Sequence, residues 1–195
     1  NMEQPNLEPL LYVIGIDPGT NCCGFAIFSI GLKSHTVSLV EAHTVKRGPL
    51  LKGHDSEVKL AEERFVVIKE YAKHLMELLE TYNPILVGSE GPYLGSFAQT
   101  FAALREMLIA FKATVYKHCR VVPFNVQAPS IIKTHMGVKG TSGDKTAMTK
   151  ALEARKDITY PAVGYIDTLD EHSVDAACVG LYTVDRAVKL LRGVL

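Results

Sequence analysis

Three strand-like runs crowd into the first 45 residues, and that crowding constrains the fold more than any other feature of the chain. Leu10 to Ile16 (LLYVIGI) is a dense apolar run stopped by the turn residues Asp17-Pro18-Gly19-Thr20. Cys22 to Ile30 (CCGFAIFSI) follows at once. After a turn at Gly31 to Ser34, His35 to Val45 (HTVSLVEAHTV) alternates polar and apolar residues. Connections this short cannot reverse into parallel pairing, so the three runs predict an antiparallel meander.

The remainder reads as helices interleaved with short strands. Lys46 to Ser56 is a basic, glycine-containing loop. Leu60, Val67, Tyr71, Leu75 and Leu78 then recur at helical spacing and predict one long amphipathic helix over Glu57 to Tyr82, ended by Asn83-Pro84. Ile85 to Ser89 (ILVGS) is a short buried strand that delivers Glu90, and Gly91-Pro92 turns the chain. Phe97 to His118 reads as a helix, Arg120 to Phe124 (RVVPF) as a strand, and Pro129 to Met136 as a short helix before a glycine loop from Gly137 to Gly143. Asp144 is expected to cap a helix reaching Lys156, and Ile158 to Thr168 has no regular pattern. Asp170 caps a final helix carrying Val174, Ala177, Leu181, Val184, Val188 and Leu191 on one face.

Meander first, then alternating helices and strands, predicts a mixed sheet covered on both sides. If the fourth strand lies parallel beside the first, a right-handed crossover puts the intervening helix on one face and brings Asp17 and Glu90 out at the same end of the sheet. The 195 residues, 47% hydrophobic, suit one domain over 8–195 with a flexible N-terminus over 1–7. The start has neither the basic segment nor the apolar stretch of a secretion signal, and no apolar run nears the roughly 18 residues of a membrane span. The expectation is a soluble protein of the cytoplasm or nucleoid, with no membrane partner. Four cysteines without CxxC spacing read as reduced, packed thiols.

Lys plus Arg and Asp plus Glu both number 21, so overall charge pushes toward no polyanion. Local charge does. From Lys112 to Lys156 nine basic residues, Lys133, Lys139 and Lys145 among them, face only Asp144 and Glu153, a local +7. Neutralising about six phosphates would make log affinity fall with log salt at a slope near −5 on duplex DNA. Glycines around the lysines let a backbone phosphate approach closely.

Asp17 and Glu90 end apolar strands, where ligands commonly bind in open α/β sheets. His172 and Asp175 lie three apart in the opening turn of the last helix and project from one face. Two carboxylates about 4 Å apart repel by roughly 4 kcal/mol at an effective dielectric near 20, so gathering three in one place calls for a cation. Oxygen ligands suit magnesium; the imidazole suits manganese better, or orients an attacking water. The chemistry implied is metal-assisted phosphodiester hydrolysis. Taken singly, each residue has a plainer role: Asp-Pro-Gly-Thr is an ordinary turn, Glu90 a solvated strand end, His172 a helix-start histidine and Asp175 a dipole partner.

The stretches Ile14-Gly15-Ile16-Asp17-Pro18-Gly19-Thr20 with Gly24-Phe25-Ala26, then Glu90, then His172-Ser173-Val174-Asp175-Ala176-Ala177, together resemble the RuvC family of Holliday-junction resolvases. The resemblance implies a ribonuclease H-like α/β fold: a five-stranded mixed sheet, made of a three-strand antiparallel meander plus two parallel strands, with helices on both faces. It implies that Asp17, Glu90, His172 and Asp175 bind two Mg2+ ions per site, with Mn2+ as substitute. Lys133, Lys139 and Lys145 would meet DNA backbone, and Tyr93, three residues after Glu90, would wedge into a junction. The implied partners are four-way branched DNA and a second copy of the chain in a homodimer, with no nucleotide cofactor; Phe97 to Phe111 (Phe97, Phe101, Leu104, Leu108 and Phe111) is the candidate interface helix. Another ribonuclease H-fold nuclease, an actin-like ATP-binding protein and a non-cleaving junction binder are the alternatives. An actin-like protein would need a second subdomain and phosphate loop that this sequence lacks.

Overall fold

The structure is a computed structural model that describes residues 8–93, 98–138 and 146–193. The expected flexible N-terminus over 1–7, the caps and interface residues Asp144 and Phe97, and the loop lysines Lys139 and Lys145 lie outside the described residues.

The meander forms as expected. β1 (Leu10–Asp17), β2 (Cys22–Gly31) and β3 (Val37–Lys46) pair antiparallel, with Asp17 opposite Gly24 and a register shift between Ile27 and Phe28. β4 (Leu86–Glu90) joins β1 in parallel, Ile16 beside Ser89, and β5 (Phe124–Gln127) joins β4 in parallel, Glu90 beside Gln127. The sheet differs from the expected five strands by a sixth: β6 (Ile158–Thr159) adds parallel to β3 at the far edge, in the order β5-β4-β1-β2-β3-β6. Two residues are too few to leave a period in the sequence.

Helix α1 (Arg47–Leu51) forms inside the stretch expected to be a loop, and α2 (Asp55–Ala61) and α3 (Glu63–Tyr82) replace the single long helix expected over Glu57 to Tyr82. The break is at Glu62, held at φ 103°, and it turns Leu60 out to 89% exposure instead of into the core. α4 (Ala98–His118) follows β4, and α5 (Pro129–His135), α6 (Ala147–Glu153) and α7 (Glu171–Leu191) complete the chain. The strand expected over Arg120 to Phe124 sits later, at Phe124–Gln127. Pro123 has no N–H to give; its carbonyl instead accepts from the Val87 N–H at the entry to β5.

Strand alternation divides the core in two. Ile14, Ile16, Phe25 and Ile27 face α3 and α4 and pack on Val67, Tyr71, Met107 and Phe111. Val13, Ala26, Phe28 and Ile30 face α7 and meet Ala176, Leu181 and Val184. Leu108 and Phe111, expected at an interface, are buried in the chain itself, while Phe65 of α3 and Ile109 of α4 are 55% and 63% exposed. No helix among the described residues is long and apolar enough to cross a membrane. The cysteines are free, Cys23 and Cys178 buried.

Candidate active site

Both strand-end acids occupy the α7 side of the sheet, and the residue two positions before each explains how the helix reaches them. In Gly15-Ile16-Asp17 and Gly88-Ser89-Glu90 the glycine and the acid share a face. A Cβ on Gly15 would lie 2.4 Å from the Gly180 nitrogen and 2.5 Å from the Ala176 oxygen, and one on Gly88 would lie 1.9 Å from Thr183 Oγ1. On the neighbouring strand a Cβ on Gly24 would lie 2.1 Å from the His172 carbonyl oxygen. The three glycines let α7 settle directly on backbone, which carries His172 and Asp175 up to the end of β1 and β4.

The helix start is fixed independently. Asp170 is the N-cap, accepting from the Ser173 N–H at 2.9 Å, and Thr44 Oγ1 on β3 donates to the same carboxylate at 2.5 Å. Asp170 thus serves as the expected cap, and Glu171 stands in the first turn. At the site itself His172 Nδ1 and Asp17 Oδ2 are 2.9 Å apart, with Asp17 15% exposed and the imidazole 41%.

Electrostatics confirm that the acids share one space. Burial, followed by the charges of Asp17 and Asp175, pushes Glu90 up to about 8. Burial, then Asp17 and Glu171, pushes Asp175 up to about 7. His172 moves upward because it hydrogen-bonds Asp17. Lys133 works against the rise at both Glu90 and Asp175. It is exposed on α5, whose Ile132 packs with Val174, Cys178 and Val179 of α7 and so docks the cation beside the acids.

The four expected site residues are therefore brought together, with Lys133 next to them, and Tyr93 is 76% exposed three residues beyond Glu90. Arg155, counted in the basic stretch, is held instead by Asp157 and Asp185 at 2.8 and 2.9 Å. The repeated glycine-x-acid pattern is a sequence signal for these two positions; the polar cleft around Thr20 and Arg64 has none, because its walls come from four separate segments.

The donor set, three carboxylates and an imidazole with raised proton affinities at Glu90 and Asp175, fits a hard divalent cation, which removes the repulsion that burial magnifies. Among the described residues no three His, Cys, Asp or Glu side chains are already placed to enclose an ion.

No family model matches the chain. It is 28% identical over 131 residues to the crossover junction endodeoxyribonuclease RuvC of Cytophaga hutchinsonii, a match spanning 67% of this chain but only 58% of that relative's length. It is 26% identical over 158 residues to the RuvC of Christiangramia forsetii, covering 80% of this chain and 73% of the relative. Among solved structures, Thermus thermophilus RuvC in complex with a Holliday junction substrate superposes with a TM-score of 0.61 at 15% identity, covering 94% of this chain and 98% of that one. Strand order and superposition over nearly the whole chain give it a ribonuclease H-like fold of the kind seen in RuvC resolvases, and its sequence is similar to two relatives named RuvC.

Proposed function

We propose that the protein is a structure-selective endodeoxyribonuclease that resolves four-way DNA junctions and related branched DNA by phosphodiester hydrolysis. The observation that carries this reading is the convergence of three carboxylates and one imidazole from β1, β4 and α7 beside the exposed cation of Lys133. In this reading Asp17, Glu90, His172 and Asp175 hold two Mg2+ ions, with Mn2+ able to substitute. Bound ions supply activation of water and stabilisation of the leaving oxygen.

The chain's own residues do the rest. Asp17 holds the His172 ring through Nδ1, which leaves Nε2 for a water or a ligand. Lys133, with Lys139 and Lys145, neutralises backbone phosphate and sets the position of DNA without reading its sequence. Tyr93, exposed at the mouth, is suited to stacking on an unpaired base at the branch point. A homodimer presents two such sites to the two symmetric strands of a junction. The α3/α4 face supports this: Phe65, Ile68, Ile109, Ala110 and Ala113 line an apolar groove of about 590 Å³ on the outside of the chain.

Cleavage of four-way, flap, duplex and single-stranded DNA, compared on gels with Mg2+ or Mn2+ present and absent, tests the reading. Paired symmetric nicks in the four-way substrate, only with metal, are expected. Metal-independent cutting, or equal cutting of duplex, overturns it.

A further inference from the structure

On the opposite side of the Asp17 turn from α7, a cleft of about 300 Å³ opens between α3 and the start of α4. Its polar walls are Thr20, Arg47, Arg64, Gln99 and Thr100, and its floor is Val67 and Met107. The side chains of Thr20, Gln99 and Thr100 make no hydrogen bond within the described residues, although they converge on one concavity. Thr20 is half-buried and Gln99 and Thr100 are exposed, so all three are open to water or to an incoming ligand.

The two guanidiniums decide which ligand. Arg47 is held in place by Glu63, through Nε at 2.8 Å and also through Nη2, and by Asn21 through Nη1 at 3.4 Å, so all three of its nitrogens are engaged and it shapes the wall of the cleft. Arg64 is tied only through Nη1, to Glu106 at 3.1 Å, and both partners are about half exposed, 47% and 51%. An exposed pair of this kind is weak, and Nε and Nη2 of Arg64 make no hydrogen bond among the described residues, so they remain available for a bidentate acceptor. Guanidiniums beside hydroxyls and an amide form the donor set of a phosphate site.

Position ties the cleft to the substrate. Thr20 is three residues from Asp17, so their backbones are within about 11 Å. At a rise of about 3.4 Å per nucleotide, that spans roughly three steps of a strand. We propose that the cleft anchors a backbone phosphate of the DNA strand whose scissile bond lies at Asp17, on the other side of the turn from Lys133; the proposal rests on the nuclease reading above.

The test is junction affinity against salt in an Asp17→Asn background, measured by fluorescence anisotropy with an immobile four-way junction, and with folding checked by circular dichroism melting. Because Arg64 also borders the α3/α4 groove, sedimentation velocity is run alongside; with the parent's oligomeric state kept, Arg64→Gln is expected to weaken binding about fivefold and flatten the log–log salt slope by about 0.9. Thr100→Glu, which puts a like charge into the cleft without touching the arginines, is expected to weaken it about tenfold. Both effects should add to that of Lys133→Gln. If Lys133→Gln flattens the slope while Arg64→Gln and Thr100→Glu change nothing, the cleft proposal fails and the nuclease reading survives. If the Asp17→Asn protein shows no salt-dependent junction binding at all, both fail. Amide shifts at Thr20 and Thr100 on adding inorganic phosphate, with junction affinity unchanged by Arg64→Gln, would assign the cleft to a free anion and overturn the proposal.

Discussion

His172 Nδ1 lies 2.9 Å from Asp17 Oδ2, a contact that joins the first strand to the last helix across 155 residues of sequence. It fixes which ring nitrogen faces the carboxylate. It also makes Asp17 the hub of the site, since its charge raises the proton affinity of Glu90, Asp175 and His172 together.

Replacing Asp17 by Asn removes that hub while leaving Lys133 in place. Metal-dependent junction cleavage is expected to fall about 10³-fold or more, with junction affinity changed less than about threefold. Single-turnover cleavage on gels and anisotropy binding read the two quantities separately. Undiminished cleavage would remove Asp17 from the chemistry.

The raised acids make metal-free stability depend on pH in a definite direction. Glu90 and Asp175 are pushed up to about 8 and 7 when folded, against ordinary carboxyl values of 4.5 and 3.8. Their contribution is fully present below the unfolded values and is lost as pH rises through the folded ones, so the chelator-treated protein should lose stability between about pH 4 and 8. Asp175→Asn or Glu90→Gln should flatten that decline. At pH 8 either should raise the melting temperature by about 2 to 4 °C for each kcal/mol of repulsion relieved. A variant melting below the parent at pH 8 without metal would contradict this.

Glycine substitutions separate packing from chemistry. At Gly15 an added methyl meets only backbone atoms of α7, at 2.4 and 2.5 Å, so nothing flexible can yield. Gly15→Ala should cost about 3 kcal/mol in urea unfolding and displace His172 and Asp175 from the strand ends. Gly48 in α1 has nothing within 4 Å of the corresponding position, and Gly48→Ala should be neutral or stabilising by up to about 1 kcal/mol. Similar melting of both variants would argue against direct seating of α7 on β1.

The outer groove gives a test of assembly. Ile109→Asp or Phe65→Asp places a charge on the exposed α3/α4 face without disturbing Leu108 or Phe111. The expected outcome is a folded monomer in sedimentation velocity and loss of symmetric double nicking, with at least about a tenfold weaker junction affinity. A parent protein already monomeric at the concentrations that cleave junctions would overturn the dimer reading.

The site residues were legible because chemistry-bearing side chains at strand ends and in a capped first turn mark themselves: Asp17 follows an apolar run, Glu90 another, and Asp170 announces the helix carrying His172 and Asp175. The meander and the parallel β1/β4 pair were legible for the same reason. The break at Glu62 was hidden, since neither Gly nor Pro marks it and Leu60 fits the helical period on either side. The strand after α4 was displaced because apolar residues before Pro123 resemble a strand more than the half-buried residues that form one. β6 pairs through two residues, Ile158 and Thr159, whose partners Val37 and Ser38 lie at the far end of the chain, a tertiary relation that no local pattern encodes.

The small cluster under α5 has a kinetic consequence. Ile132 is the only buried residue of that helix, and it seats on a patch separate from the two cores that hold the sheet. A segment attached through so little apolar area opens at a fraction of the free energy of global unfolding. If Lys133 meets DNA backbone as proposed, it does so from an element able to lift and reseat while the strand ends stay rigid, so its grip on a passing polyanion would renew itself many times within the lifetime of one folded molecule.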